Sequence, residues 1–140
     1  MIDSLVDLLH KGNHTLVVAN GDDVRTFGRR GVADLFELLT SNPEFLRGAS
    51  VADKVVGKGA AAMMILGGIG RLHTDIISDA AIELFRDSGV EISYDTRVPF
   101  IANRDHSGRC PVETLCEPCA TAAECLPLIE SFITRQCERN

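Results

Sequence analysis

The segment Gly59-Ala60-Ala61-Ala62-Met63-Met64-Ile65-Leu66 constrains this chain more than any other. It reads as the body of a helix from Lys58 to Leu66, ended by Gly67-Gly68, and it has no polar face. A helix that is apolar all round belongs either in a membrane or inside a fold that covers it on every side. The longest unbroken apolar run, Ala60 to Leu66, is far too short for a bilayer, which needs about 20 residues. The helix therefore requires partners on all sides, and the rest of the chain has to supply them.

Before this helix, Ile2, Leu5, Val6 and Leu9 recur at i, i+3, i+4 and i+7, which predicts a short amphipathic helix ending near Gly12. Residues 14 to 19 read as a strand, and Asn20-Gly21 as a two-residue hairpin turn, because both positions tolerate positive φ. Asp23 to Phe27 alternates as the return strand, broken by Gly28-Arg29-Arg30-Gly31. Val32, Leu35, Phe36 and Leu39 form a second helical stripe, stopped at Asn42-Pro43. Residues 44 to 53 read as irregular, and Lys54-Val55-Val56-Gly57 as a short extended piece feeding the apolar helix. Beyond it, residues 70 to 77 read as a strand and Ser78 as the N-cap of a helix through Phe85. Val90, Ile92 and Tyr94 alternate as another strand, with one more over Val98 to Ala102. Strands separated by helices of about ten residues predict an α/β sheet with parallel pairs, covered on both faces. That is the setting the apolar helix needs.

A chain of 140 residues fits one domain, and 45% hydrophobic content gives it a core to bury. The net charge of −6 and the scattered basic residues argue against nucleic acid, whose backbone rewards a clustered positive face. The tight basic pair Arg29-Arg30 is followed by Asp34 and Glu37. The N-terminus carries Asp3 where a secretory signal would carry Lys or Arg, so the expectation is a cytoplasmic protein without a membrane partner. In that compartment five cysteines, an odd number, argue for thiols or a metal site over a disulfide framework.

The run Lys54-Val55-Val56-Gly57-Lys58-Gly59-Ala60-Ala61-Ala62, the later Cys110-Pro111, and the order of elements over residues 2 to 102 resemble a known family. It is an uncharacterised bacterial family of unknown function, assigned the cytidine-deaminase fold. The resemblance implies a three-layer α/β fold with a mixed sheet of about five strands and helices on both faces. It also implies a tendency to form homo-oligomers. Residues 109 to 140 would follow the core as a cysteine-containing helical segment of the same domain.

In zinc deaminases a His-x-Glu or Cys-x-Glu opens the buried helix and a Pro-Cys-x-x-Cys opens the next, so that the metal activates water. Here the first helix start reads Lys58-Gly59-Ala60-Ala61 and the second Ser78-Asp79-Ala80-Ala81. Neither offers an imidazole, a thiolate or a glutamate. Among the four histidines only His73-Thr74-Asp75 approaches the pattern, and it falls in a strand, where alternate side chains point the same way. Pro118-Cys119 has its next cysteine only at Cys125. Zinc deamination, and with it a catalytic zinc, is excluded on this reading.

Two candidate sites follow. Gly57, Lys58, Gly59 and Ala60 combine a helix N-terminus, close backbone approach and a cation, which suits a nucleotide or another phosphate-bearing ligand. The bland alternative is that the glycines allow tight packing and Lys58 is solvated. Cys110, Cys116, Cys119 and Cys125 could hold structural zinc or an iron–sulfur centre, although only one x2 spacing is present. Cys116-Glu117-Pro118-Cys119 also resembles a redox pair, but that motif follows a strand and Pro111 to Leu115 reads as a short helix. Reduced cysteines packed as small apolar groups are the bland alternative. Thr121-Ala122-Ala123-Glu124 reads as the capping box of a last helix, with a stripe at Leu128, Ile129, Phe132 and Ile133 and a kink or restart at Pro127. That helix should pack on the sheet or on a second subunit. Asn103-Arg104-Asp105-His106 reads as a solvated loop. Three functions remain open: a ligand-binding module on a deaminase-like fold, a metal or thiol protein, and a structural or assembly protein.

Overall fold

The computed structural model describes residues 2–29, 32–101 and 110–139. The elements run α1 (Ile2–Lys11), β1 (Leu16–Asn20), β2 (Asp23–Phe27), α2 (Ala33–Ser41), α3 (Pro43–Leu46), β3 (Ser50–Val56) and α4 (Lys58–Gly67). They continue with β4 (Arg71–Ser78), α5 (Asp79–Phe85), β5 (Glu91–Val98), α6 (Pro111–Cys116) and α7 (Ala122–Arg139). The strands form one mixed sheet in the order β2-β1-β3-β4-β5. β1 runs antiparallel to both β2 and β3, whereas β3, β4 and β5 are parallel. This is the layered α/β architecture expected, with helices on both faces.

The apolar helix explains the layering. Within α4, every residue from Lys58 to Met64 is buried. The sheet meets it with Val51, Val56, Leu72 and Ile77, and α2 and α5 add Leu35, Leu38, Ala81 and Phe85. On its outer side stand Val112 and Cys116 of α6 with Cys125 and Ile129 of α7. The C-terminal segment thus joins the core cluster and packs mainly against α4, where the expectation was the sheet or a second subunit. Met63 and Met64 are fully buried, and each such side chain stabilises the fold by about 1.5–3 kcal/mol. Left-handed Gly68, at φ 76°, ends the helix, as glycine does most readily.

The opposite face carries α1 alone among the described helices. Its Leu5 and Leu9 pack on Val17, Ala19 and Ala52 of β1 and β3. α1 reaches only part of β4, and β5 stays largely exposed. The sheet therefore keeps a polar, partly open flank.

Four expectations need correction. Residues 44 to 53 are not irregular: they hold α3, started by Pro43, and most of β3. β3 lacks an alternating pattern because it is the central strand, flanked by strands and packed from both faces. The hairpin loop is Gly21-Asp22, one residue later than predicted, since Asn20 pairs with Asp23 and Gly21 takes φ 61°. Asn20 instead donates its side-chain amide to the carbonyls of Phe45 and Arg47, at 2.9 and 3.0 Å, tying β1 to α3. Val98 ends β5 and residues 99–101 form no further strand, while Ala102 and the Asn103–His106 loop lie outside the described residues. Finally, α7 runs through Pro127 unbroken, and of its expected stripe Ile129 is fully buried while Leu128 is exposed.

Candidate functional site

Gly57 caps α4 in an extended conformation, and its carbonyl accepts the first helical bond, from Ala61 N at 3.0 Å. The expected anion-binding turn at Gly57, Lys58, Gly59 and Ala60 is closed over by α6. A Cβ on Gly59 would overlap Cγ1 of the buried Val112 and stand 3.7 Å from the Cys116 sulfur. Lys58 is buried, and its ammonium donates to the carbonyl of Glu117 at 3.0 Å and to that of Cys119. The lysine therefore clamps the α6–α7 corner. A Cβ on Gly57 would meet the carboxyl group of Glu113 at 3.5 Å. Glu113 is itself buried, with one oxygen accepting from Ile101 N and the other, Oε1, lacking a hydrogen-bond partner. A carboxyl group already stands at this helix start, and it belongs to the chain. Nothing in the local pattern of residues 57 to 60 announces Glu113, because its approach depends on how α6 packs.

The start of α5 is built differently. Ser78 caps it, accepting from Ala81 N at 3.2 Å, and Asp79 is engaged by Arg97. Between α4, α5 and the α6–α7 connection lies a cleft of about 610 Å³. Ile65, Leu84 and Ala80 give it apolar walls; Glu83, Asp87 and Thr121 line it with acceptors and a hydroxyl. Lys58 and Cys119 close its inner end.

Cys116, Cys119 and Cys125 are buried free thiols and Cys110 is half-buried; the Cys137 side chain lies outside the described residues. The Cys125 thiol donates to the Thr121 carbonyl at 3.5 Å and faces Cys116 and Cys119 at the α6–α7 corner. Burial pushes the Cys116 thiol up, opposed by Cys125 and more weakly by Lys58; burial also pushes Cys125 up, reinforced by Cys116. Among the described residues, the group of three or more His, Cys, Asp or Glu ligand atoms within 4.8 Å of one another is not this one. Among the described residues, the expected metal set at Cys110, Cys116, Cys119 and Cys125 is thus not drawn together as closely as that. The Cys116–Cys119 pair also follows helix α6 and not a strand. Raised thiols react slowly, since the thiolate is the nucleophile. Peptide mapping after iodoacetamide treatment should find Cys116 and Cys125 alkylated roughly a hundredfold more slowly in native than in urea-unfolded protein. Equal rates would show a corner that opens freely.

The group that does come together is His73, Asp75 and Asp95. The strand reading placed His73 and Asp75 on one side, and β5 adds Asp95 beside them. Asp53, on the neighbouring β3, is pushed up to about 7, mainly by burial, with the charge of Asp75 adding and the Val55 and Lys54 amides opposing. Arg29 of the basic pair is taken up by Asp34, at 2.5 Å, and Glu37. No described helix is long and apolar enough to cross a membrane.

The model of a domain of unknown function, DUF1893, matches residues 4–133. The chain belongs to the DUF1893 family. A crystal structure of a DUF1893 family protein from Thermotoga maritima is similar with a TM-score of 0.86 and 27% identity, over 93% of this chain and 88% of that one. RibD of Acinetobacter baumannii is similar with a TM-score of 0.43 and 12% identity, over 67% of this chain and 34% of that one. No curated protein matches the sequence. The match to DUF1893 takes in α6 and most of α7, so the segment that covers the α4 start belongs to the family domain.

Proposed function

We propose that this DUF1893 chain is a small-molecule binding module on a deaminase-type scaffold, and that its ligand occupies the cleft between α4 and α5. The observation that carries this reading is the position of the cleft, which runs from Lys58 at the start of α4 to Ala80 at the start of α5. Those are the two helix starts around which the deaminase chemistry is arranged. Its volume of about 610 Å³ falls within the usual range for small-molecule sites.

The lining favours the base and sugar of a nucleoside over a phosphate. Ile65, Leu84 and Ala80 can face a flat apolar body, while Glu83, Asp87 and Thr121 accept from amines and hydroxyls. The two carboxylates repel an added phosphate, and the Lys58 ammonium is already engaged by carbonyls. Calorimetric titration with a panel of nucleosides, the matching nucleotides, ADP-ribose and inorganic phosphate tests this. Saturable binding of at least one nucleoside, abolished by Ala80→Trp, is expected. Silence across the whole panel, or binding that needs the phosphate, would overturn it.

A further inference from the structure

The flank of the sheet that α1 leaves partly open gathers imidazoles and carboxylates on β4 and β5. We propose that His73, Asp75 and Asp95 bind a divalent first-row transition cation of the zinc type, with Ser93 and His10 orienting the ligands. The site lies on the face of the sheet opposite α4, so it is independent of the cleft.

The geometry comes from strand register. His73 and Asp75 alternate on β4, and His73 pairs with Ser93 across the parallel β4–β5 ladder, which places Asp95 one step further along. One ligand atom of each residue lies within 4.8 Å of those of the other two. Nitrogen and oxygen ligands about 2.0–2.2 Å from a tetrahedral ion stand roughly 3.3–3.6 Å apart, so small side-chain rotations close the set. His73 Nε2 is already 3.7 Å from Asp95 Oδ1.

Two contacts fix the donors as metal sites fix theirs. His73 Nδ1 lies 2.8 Å from the Ser93 hydroxyl, which leaves Nε2 for the ion. His10 Nε2 lies 2.8 and 3.0 Å from the two oxygens of Asp75 and holds that carboxylate from the end of α1. Among the described residues neither Asp75 nor Asp95 pairs with a lysine or arginine; Arg71, on the same flank, is taken by Glu91 at 2.7 Å. The negative charge that a cation would neutralise is left to histidines alone. Imidazole among the donors favours zinc and its neighbours over magnesium or calcium, which take oxygen. His73 and Asp75 are half-buried and Asp95 is exposed, so the remaining coordination positions face water.

Titration of chelator-treated protein with Zn²⁺, and with Co²⁺ read by absorption, tests the site. The expected result is one saturable ion per chain and a cobalt spectrum without sulfur-to-cobalt charge transfer. Asp95→Asn should weaken binding at least tenfold with an unchanged melting temperature, because Asp95 is exposed; Ser93→Ala should weaken it about tenfold. Absence of saturable binding would overturn the proposal. So would a thiolate band with affinity unaffected by Asp95→Asn, which would move the ion to the cysteines.

Discussion

Gly59→Val lowers the stability of the fold by about 3 kcal/mol or more, measured as a shift in the urea midpoint at constant slope. Position 59 lies inside the first turn of α4, where a non-glycine residue would ordinarily gain about 1 kcal/mol of helix propensity. That gain is outweighed. A single Cβ already overlaps Val112 Cγ1, and Ile129 Cδ1 and the Cys116 sulfur stand at 3.5 and 3.7 Å, so the added atoms meet buried side chains on three sides. Val112 is β-branched and buried, and it cannot turn away as a long chain could. Relief has to come from α6 moving off α4, which would expose Val112 and Cys116 and lift Glu113 from Gly57. The cause can be isolated with Val112→Ala. Combined with Gly59→Val, it should recover at least about 1 kcal/mol relative to the sum of the single changes. Strict additivity, or a Gly59→Val protein of unchanged midpoint, would mean that the α4 start is not in contact with α6.

The same residues show what a sequence can and cannot disclose. The all-apolar stretch from Gly59 to Leu66 required cover on every side, and it has it as far as Met64, because that demand depends only on composition; Ile65 is half-buried and Leu66 is exposed. The capping of α5 by Ser78 and of α7 by Thr121, whose hydroxyl accepts from Glu124 N at 3.3 Å, was equally legible, since each cap lies within four residues of its partner. β3 was not legible beyond its last few residues, because a strand flanked on both sides loses the alternation that marks one. At the site, the Gly-Lys-Gly turn was recognised, but the carbonyls that its lysine meets were not. Lys58 and Cys119 are 61 positions apart, and no local rule links a helix start to the corner of a later helix pair. His73 and Asp75 were visible as alternate strand residues. Their meeting with Asp95 and His10 depends on strand order and on where α1 ends.

Lys58→Ala is expected to cost about 3 kcal/mol or more, and Lys58→Met about 2 kcal/mol, in the same urea titration. Alanine removes both the buried stem and the ammonium; methionine keeps most of the packing and removes only the donor. The difference between them measures the cavity, and the methionine value measures what the Glu117 and Cys119 carbonyls lose. Those carbonyls end α6 and open the turn into α7, where backbone acceptors have no partner within the helix. An ammonium with several donors is suited to that corner, and its burial is tolerated because it is hydrogen-bonded there. Were Lys58 a ligand-binding cation instead, both variants would keep wild-type stability and lose only affinity for an anion. A Lys58→Met midpoint within about 0.5 kcal/mol of wild type would show that the corner holds without the clamp. The expected loss would instead identify the lysine as the tie that fastens α6 and α7 over α4. The turn that looks like an anion site in the sequence would then be the foundation of the lid that covers it.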